Sequence, residues 1–307
     1  MPVSKHRSKS GGKKSKAAAR EKRKPASASS PSAPGRQTTE AAIAALSAAA
    51  PRDEPKDALH QAQELIYDAW ETPKAAQRIR LAKRALKISD LCADAHCLLA
   101  DDEAKTLVEA RGHYERALAA GEKAAGPQAF KNDAGHFWGI LDTRPYMRAR
   151  MALADCLWQC GERAAAIEHL QDMLRLNPND NQGVRDPLAA WLLSVRDHDA
   201  AEKLLKAYDG DYSACWHYSV TLLAFRKGDE IGSRRCLKKA WEFNPHVPAF
   251  LIGTCAIPPD SPGYYSLRSP DEALLYAQEH RENWASTEGA LPWLAESIRT
   301  LPPPEKD

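Results

Sequence analysis

Three places in the sequence gather side chains that could do chemistry. The stretch GHFWGILDTRPYMRAR, residues 135–150, packs a His, three other aromatics, an Asp and three Arg into one short segment. That mixture suits an active-site loop, a base-stacking patch or a joint between helices. Cys156 and Cys160 stand four apart, on one face of a helix. A zinc site would need a second ligand pair, and none follows at a suitable spacing, so packing is the better reading. Cys92, His96 and Cys97 lie close in sequence, but their spacing matches no ligand pattern, and no metal is expected there either. Asp101, Asp102 and Glu103 form an acidic run that reads as a solvated helix face, open to Arg or Lys partners. The motifs GxxxxGK[ST], GxGxxG, GxSxG and HExxH are all missing, and no carboxylate pair suggests acid–base work. We therefore expect no catalytic residue, no metal and no cofactor, and a protein that is not an enzyme.

Charge is distributed unevenly along the 307 residues. Residues 1–36 hold 11 Lys/Arg against the single acid Glu21, whereas the rest holds 32 Lys/Arg against 40 Asp/Glu. That first segment has no Leu, Ile, Phe, Trp or Tyr, so it cannot offset the entropy of ordering and reads as a disordered basic arm. Residues 37–55 read as a short Ala-rich helix and a linker, ended by Pro51. No window approaches a membrane-spanning length of apolar residues. Seven scattered Cys do not form a disulfide framework, and no secretory signal is visible, so a reducing cytoplasm is expected.

What must position any site is helical and repeated. In Met147–Asp180, a unit of 34 residues, Leu153, Leu157, Gly161, Ala166, Leu170 and Pro178 take positions 7, 11, 15, 20, 24 and 32. Such spacing predicts an antiparallel helix pair. Gly161 makes the turn, Ala166 lets the helices approach, and Pro178 stops the second helix. The blocks 181–213 and 214–247 repeat the spacing, although the first lacks the turn Gly and the terminal Pro. Looser units fall at about 59–92 and 91–125, so repeats fill 56–254. A helical cap and tail over 255–307 begins with Ser269 as N-cap and Pro270 in the first turn. In the opening stretch, Asp142 or Thr143 is the expected N-cap of the helix that follows. His136, Phe137 and Trp138 are expected to be wedges between units.

Met147–Asp180 resembles a tetratricopeptide repeat. More narrowly, CADAHCLLADDEAKTLVEARGHYERALAAGEKA, TRPYMRARMALADCLWQCGERAAAIEHL, AWEFNPHVPAFLIG and ENWASTEGALPWL are similar to the suppressor-of-tumorigenicity-7 family over roughly residues 80–295. The spelling LRLNPNDNQGVR suggests a soluble, bacterial-type member. The resemblance implies an all-α, tetratricopeptide-like right-handed helical-hairpin solenoid with an interaction role and no chemistry. It also implies that positions 2, 5, 9, 12 and 13 of each unit line a concave groove for a protein or peptide partner. Those positions nominate Arg148, Asp155, Trp158, Gln182, Arg185, Tyr218 and Arg226 as groove residues. Positions 5 and 9 of the best unit are Met151 and Asp155, so the clamp for a peptide C-terminal carboxylate is missing.

A second expectation, of a different class, rests on the arm. Lys13, Lys14, Lys16, Arg20, Lys22, Arg23 and Lys24 would attract RNA or a ribosome without sequence preference. Six phosphate contacts would make affinity fall about a thousandfold between about 50 and 200 mM salt. No aromatic is interleaved, so base stacking by the arm is not expected.

Overall fold

The computed structural model describes residues 54–260 and 262–303. The basic arm and the Ala-rich segment predicted over 37–55 lie outside these residues, except that Glu54 and Pro55 already belong to the first helix. Within the unit that starts at Asp53, thirteen α-helices are described. They run as hairpins: α1 (Glu54–Trp70) with α2 (Ala75–Ile88), then α3 (Ala93–Asp102) with α4 (Leu107–Asn132). Next come α5 (Arg144–Gln159) with α6 (Arg163–Leu176), α7 (Arg185–Ser194) with α8 (His198–Ala207), and α9 (Ala214–Arg226) with α10 (Glu230–Phe243). The short α11 (Val247–Leu251), α12 (Pro270–Ala285) and α13 (Ala290–Thr300) complete the set. Within each hairpin a connection of three or four residues forces antiparallel neighbours, and apart from α10 and α11 each helix packs on the next in order. The architecture is all-α, in tetratricopeptide-like packed hairpins.

Local sequence explains the elements. Gly161 and Gly228 take positive φ of 84° and 72° and turn the first helix of their hairpins into the second. The unit without a turn Gly uses Arg196 at φ 60° in the same role, with the same backbone bonds from Arg196 and Asp197 back to Leu193 and Leu192. Asp197, Asp229, Ser213 and Ser269 cap the helices that follow them by accepting a backbone N–H. At Gly121 of α4, an added Cβ would stand 2.8 Å from the Tyr146 Cα, so the glycine sets how closely α5 approaches.

The segment 135–150 forms two 3-10 turns, Phe137–Gly139 and Leu141–Thr143, leading into α5. Phe137 is fully buried, 5.0 Å from the Phe130 ring and 6.0 Å from that of Tyr146. Half-buried Trp138 carries Arg144 over its ring at 5.3 Å. His136, expected as a third wedge, is exposed, because the turn that buries Phe137 points its neighbour outward. Thr143 does precede α5, but its hydroxyl bonds the Phe137 and Ile140 carbonyls rather than a helix N–H, so it ties the turns instead of capping.

Among the described residues the core falls into four clusters along the hairpins. One cluster centres on α5 to α9 with Met147, Leu170, Met173, Leu188 and Leu192, and another joins α9 and α10 to α11, α12 and α13 around Trp284 and Tyr218. No described helix is long and apolar enough to cross a membrane.

Candidate partner-binding groove

The nominated residues divide into two groups, because α12 packs against α7 and α9, the first helices of the last two hairpins. Glu272, near the start of α12 and 5% exposed, accepts the Ala214 N–H at the start of α9 (2.8 Å) and an Asn244 side-chain N–H (3.0 Å). Tyr218 is completely buried; its hydroxyl donates to the Asn244 carbonyl at 2.8 Å and its ring lies 5.6 Å from Tyr276 of α12. Arg226 donates to the carbonyls of Leu193 (2.5 Å) and Asn283 (2.7 Å) and to the Thr287 hydroxyl (2.8 Å). Burial pushes its guanidinium down to about 10, and Arg196 adds to that. Phe225, at the neighbouring groove position, packs 4.8 Å from Trp293 of α13. This part of the concave face is occupied by the chain itself.

Arg185 is held by Asp211 (2.6 Å) and Asp180 (3.2 Å) and lies over the Tyr208 and Trp216 rings at 5.4 and 5.8 Å. Gln182 keeps one buried side-chain oxygen without a hydrogen-bond partner, as does Asp186 beside it in α7. Burial pushes the Asp186 carboxyl up to about 7, against the pull of Arg185. Trp158 stacks on Trp191 with centroids 4.5 Å apart and planes within 4°, and Arg163 covers it at 5.1 Å.

The other part of the face is open. Arg148 of α5 grips Asp94 of α3 with two bonds, Nε to Oδ1 at 2.9 Å and Nη2 to Oδ2 at 2.5 Å. Asp94 is 1% exposed and also accepts from Gln63 of α1 at 2.9 Å. The same guanidinium lies 5.3 Å from the centre of the Trp70 ring, and Tyr67 sits 5.5 Å from Trp70. Trp70 and Tyr67 remain 48% and 46% exposed. An Arg fixed by a buried carboxylate thus holds an exposed aromatic pair in place. Two helical turns beyond Arg148, Asp155 is half-buried and near enough to Glu279 of α12 for its charge to raise that carboxyl; it has no ion-pair or hydrogen-bond partner, and burial pushes it up to about 6.

Sequence reasoning missed Tyr67, Trp70 and Asp94. The first two could have been found, because they occupy positions 9 and 12 of the 59–92 unit, where the groove rule was not applied. Asp94 gave no such signal. The seven Cys are all free, and the described residues contain no cluster of three His, Cys, Asp or Glu placed to hold a metal.

The fold and this face define a tetratricopeptide-like helical repeat domain. Residues 53–305 match the family model described as ST7 protein, and the chain belongs to that family. It is 28% identical over 260 residues to Suppressor of tumorigenicity 7 protein-like from Gallus gallus, and 30% identical over 265 residues to Protein ST7 homolog from Drosophila melanogaster. Each match covers 76% of this chain and 46% or 48% of the relative, so the chain spans about half the length of the curated relatives it matches. Among solved structures it is similar to YrrB, titled a TPR protein with an unusual peptide-binding site. That match has a TM-score of 0.44 and 18% identity, covering 62% of this chain and 92% of that one.

Proposed function

We propose that the protein is a non-catalytic interaction scaffold that binds a peptide or protein partner on the open part of its concave face. The observation that carries this reading is the Tyr67–Trp70 pair, exposed yet fixed by Arg148 and Asp94. Exposed Trp, Tyr and Arg held rigidly are the typical anchors of interfaces, since little side-chain entropy remains to be lost on binding. Asp155 supports the same reading, because an unpaired half-buried carboxylate costs stability and a cationic partner group would relieve that cost. Tyr218 and Arg226 serve the docking of α12 in this reading; a partner reaches them only by displacing that helix.

The test is affinity capture from the native cell with the full chain and with Tyr67→Ser/Trp70→Ser. Both side chains are half-exposed, so the variant keeps its helical circular dichroism. We expect it to lose its partners. A folded variant that retains every partner eliminates the groove reading. A second reading, adhesion to RNA or ribosomes through Lys13, Lys14, Lys16, Arg20, Lys22, Arg23 and Lys24, rests on the opposite charges of the arm and of the remaining chain. It requires salt-dependent RNA binding that disappears when residues 1–36 are deleted.

A further inference from the structure

Helix α2 has five cations, Arg78, Arg80, Lys83, Arg84 and Lys87, and no acid. It belongs to a body in which acids outnumber cations, 40 to 32 over residues 37–307. Packing sorts these five side chains into two sets. Arg78 turns inward and forks onto Asp102 at 2.6 and 2.5 Å, and Lys83 pairs with Glu103, so α3 neutralises both. The remaining three lie on the outer side of the helix, with Lys83 at its edge. At about 100° per residue, Arg80, Arg84 and Lys87 fall within an arc of about 60°. That arc lies opposite Ala82 and Ala85, which are fully buried against α1 and α3. All three are exposed, and none has an ion-pair or hydrogen-bond partner among the described residues.

None of these three contributes to the shifts of the nearby imidazoles. His96 of α3 and His113 of α4 have ring centroids 6.5 Å apart. Burial first, then the Arg116 charge, pushes His96 down to about 4 and lowers His113, with Lys83 of α2 also acting on His113.

From this geometry we infer that the outer face of α2 binds the sugar–phosphate backbone of a nucleic acid through Arg80, Arg84 and Lys87. The site is separate from the groove and depends neither on the groove reading nor on the basic arm. The stripe rises about 10 Å along the helix, close to the axial span of four successive phosphates on one strand of a duplex at about 3.4 Å each. Two of the three cations are Arg, whose planar fork suits phosphate oxygens. A membrane surface fits less well, because an interfacial helix needs an apolar face beside its charges. The apolar face of α2 is committed to the core, and only Ile88, 42% exposed, flanks the stripe.

The test uses the full chain and a fluorescently labelled RNA duplex of about 20 base pairs, with affinity measured from about 50 to 200 mM salt. Arg80→Gln/Arg84→Gln/Lys87→Gln should keep its circular dichroism and make the log–log salt slope shallower by about 2.7. Over that range the native chain then loses about forty-fold more affinity than the variant. Arg80→Lys/Arg84→Lys should retain the native slope. No duplex binding by the full chain at 50 mM salt would refute the site. So would an unchanged slope in the Gln variant, which assigns binding to other cations. A Gln variant that loses binding to vesicles containing phosphatidylserine but keeps the RNA slope would replace the nucleic-acid assignment with a membrane one.

Discussion

At the scale of single residues, what separates Arg148 and Asp155 from their neighbours is compensation. Arg148 is satisfied by Asp94 and stacked on Trp70, whereas Asp155 has no partner. The Asp155 carboxyl sits at about 6 in the folded chain, above its ordinary value near 3.9. The folded state therefore holds the proton more tightly, and the ionised group opposes folding above about pH 6. Asp155→Asn should stabilise the chain by about 1 kcal/mol at pH 7.5, a gain reduced by partial solvent screening. The gain should fade as pH drops to about 4, which urea midpoints at the two pH values would report. The family resemblance nominated groove positions in the sequence, but nothing local tells which of them are already paired. The Arg148–Asp94 contact joins positions 54 apart and leaves no local trace.

The elements were legible where their signals are local. Hydrophobic spacing and the turn at Gly161 lie within a few residues, so the pair α5 and α6 could be read directly. Gly161→Ala should cost about 1 kcal/mol, purely from its positive φ, since nothing lies within 4 Å of the added Cβ. Chemical denaturation of the variant measures that cost, and an unchanged midpoint would contradict it. Other element features were hidden from the sequence. The span α4 breaks at Gly126, where φ is 71° and ψ 162°, and Pro127 opens a second helical stretch to Asn132 that lies beyond the 91–125 unit. The docking of α12 was hidden too. Its own sequence announces a capped helix, but the surface it covers lies on hairpins made much earlier in the chain.

At the scale of the whole described unit, that docking links stability to acidity. His280 of α12 is completely buried, stacked 4.4 Å over Tyr276 and 3.5 Å from the Cys215 sulfur, with its Nδ1 unpartnered. Burial, with the Arg226 charge adding to it, pushes this imidazole down to about 3. The unfolded chain takes up the proton near pH 6.5, so this group's contribution to stability falls between about pH 6.5 and 3. The loss should approach 1.4 kcal/mol per pH unit. His280→Gln should remove that share of the pH dependence, read as the difference between wild-type and variant urea midpoints at pH 7, 5 and 4. Parallel midpoints across this range would show that His280 is protonated without cost.

The order of synthesis adds a consequence. The carbonyl of Asn283 that receives Arg226 lies 57 residues further along the chain. At about 5–20 residues per second, a ribosome takes roughly 3 to 11 s to cover that distance. For those seconds Tyr218, Leu222 and Phe225 stand on a nascent chain whose covering helix has not yet been made. Newly made copies therefore offer holdase chaperones, and one another, an apolar surface that the finished protein conceals.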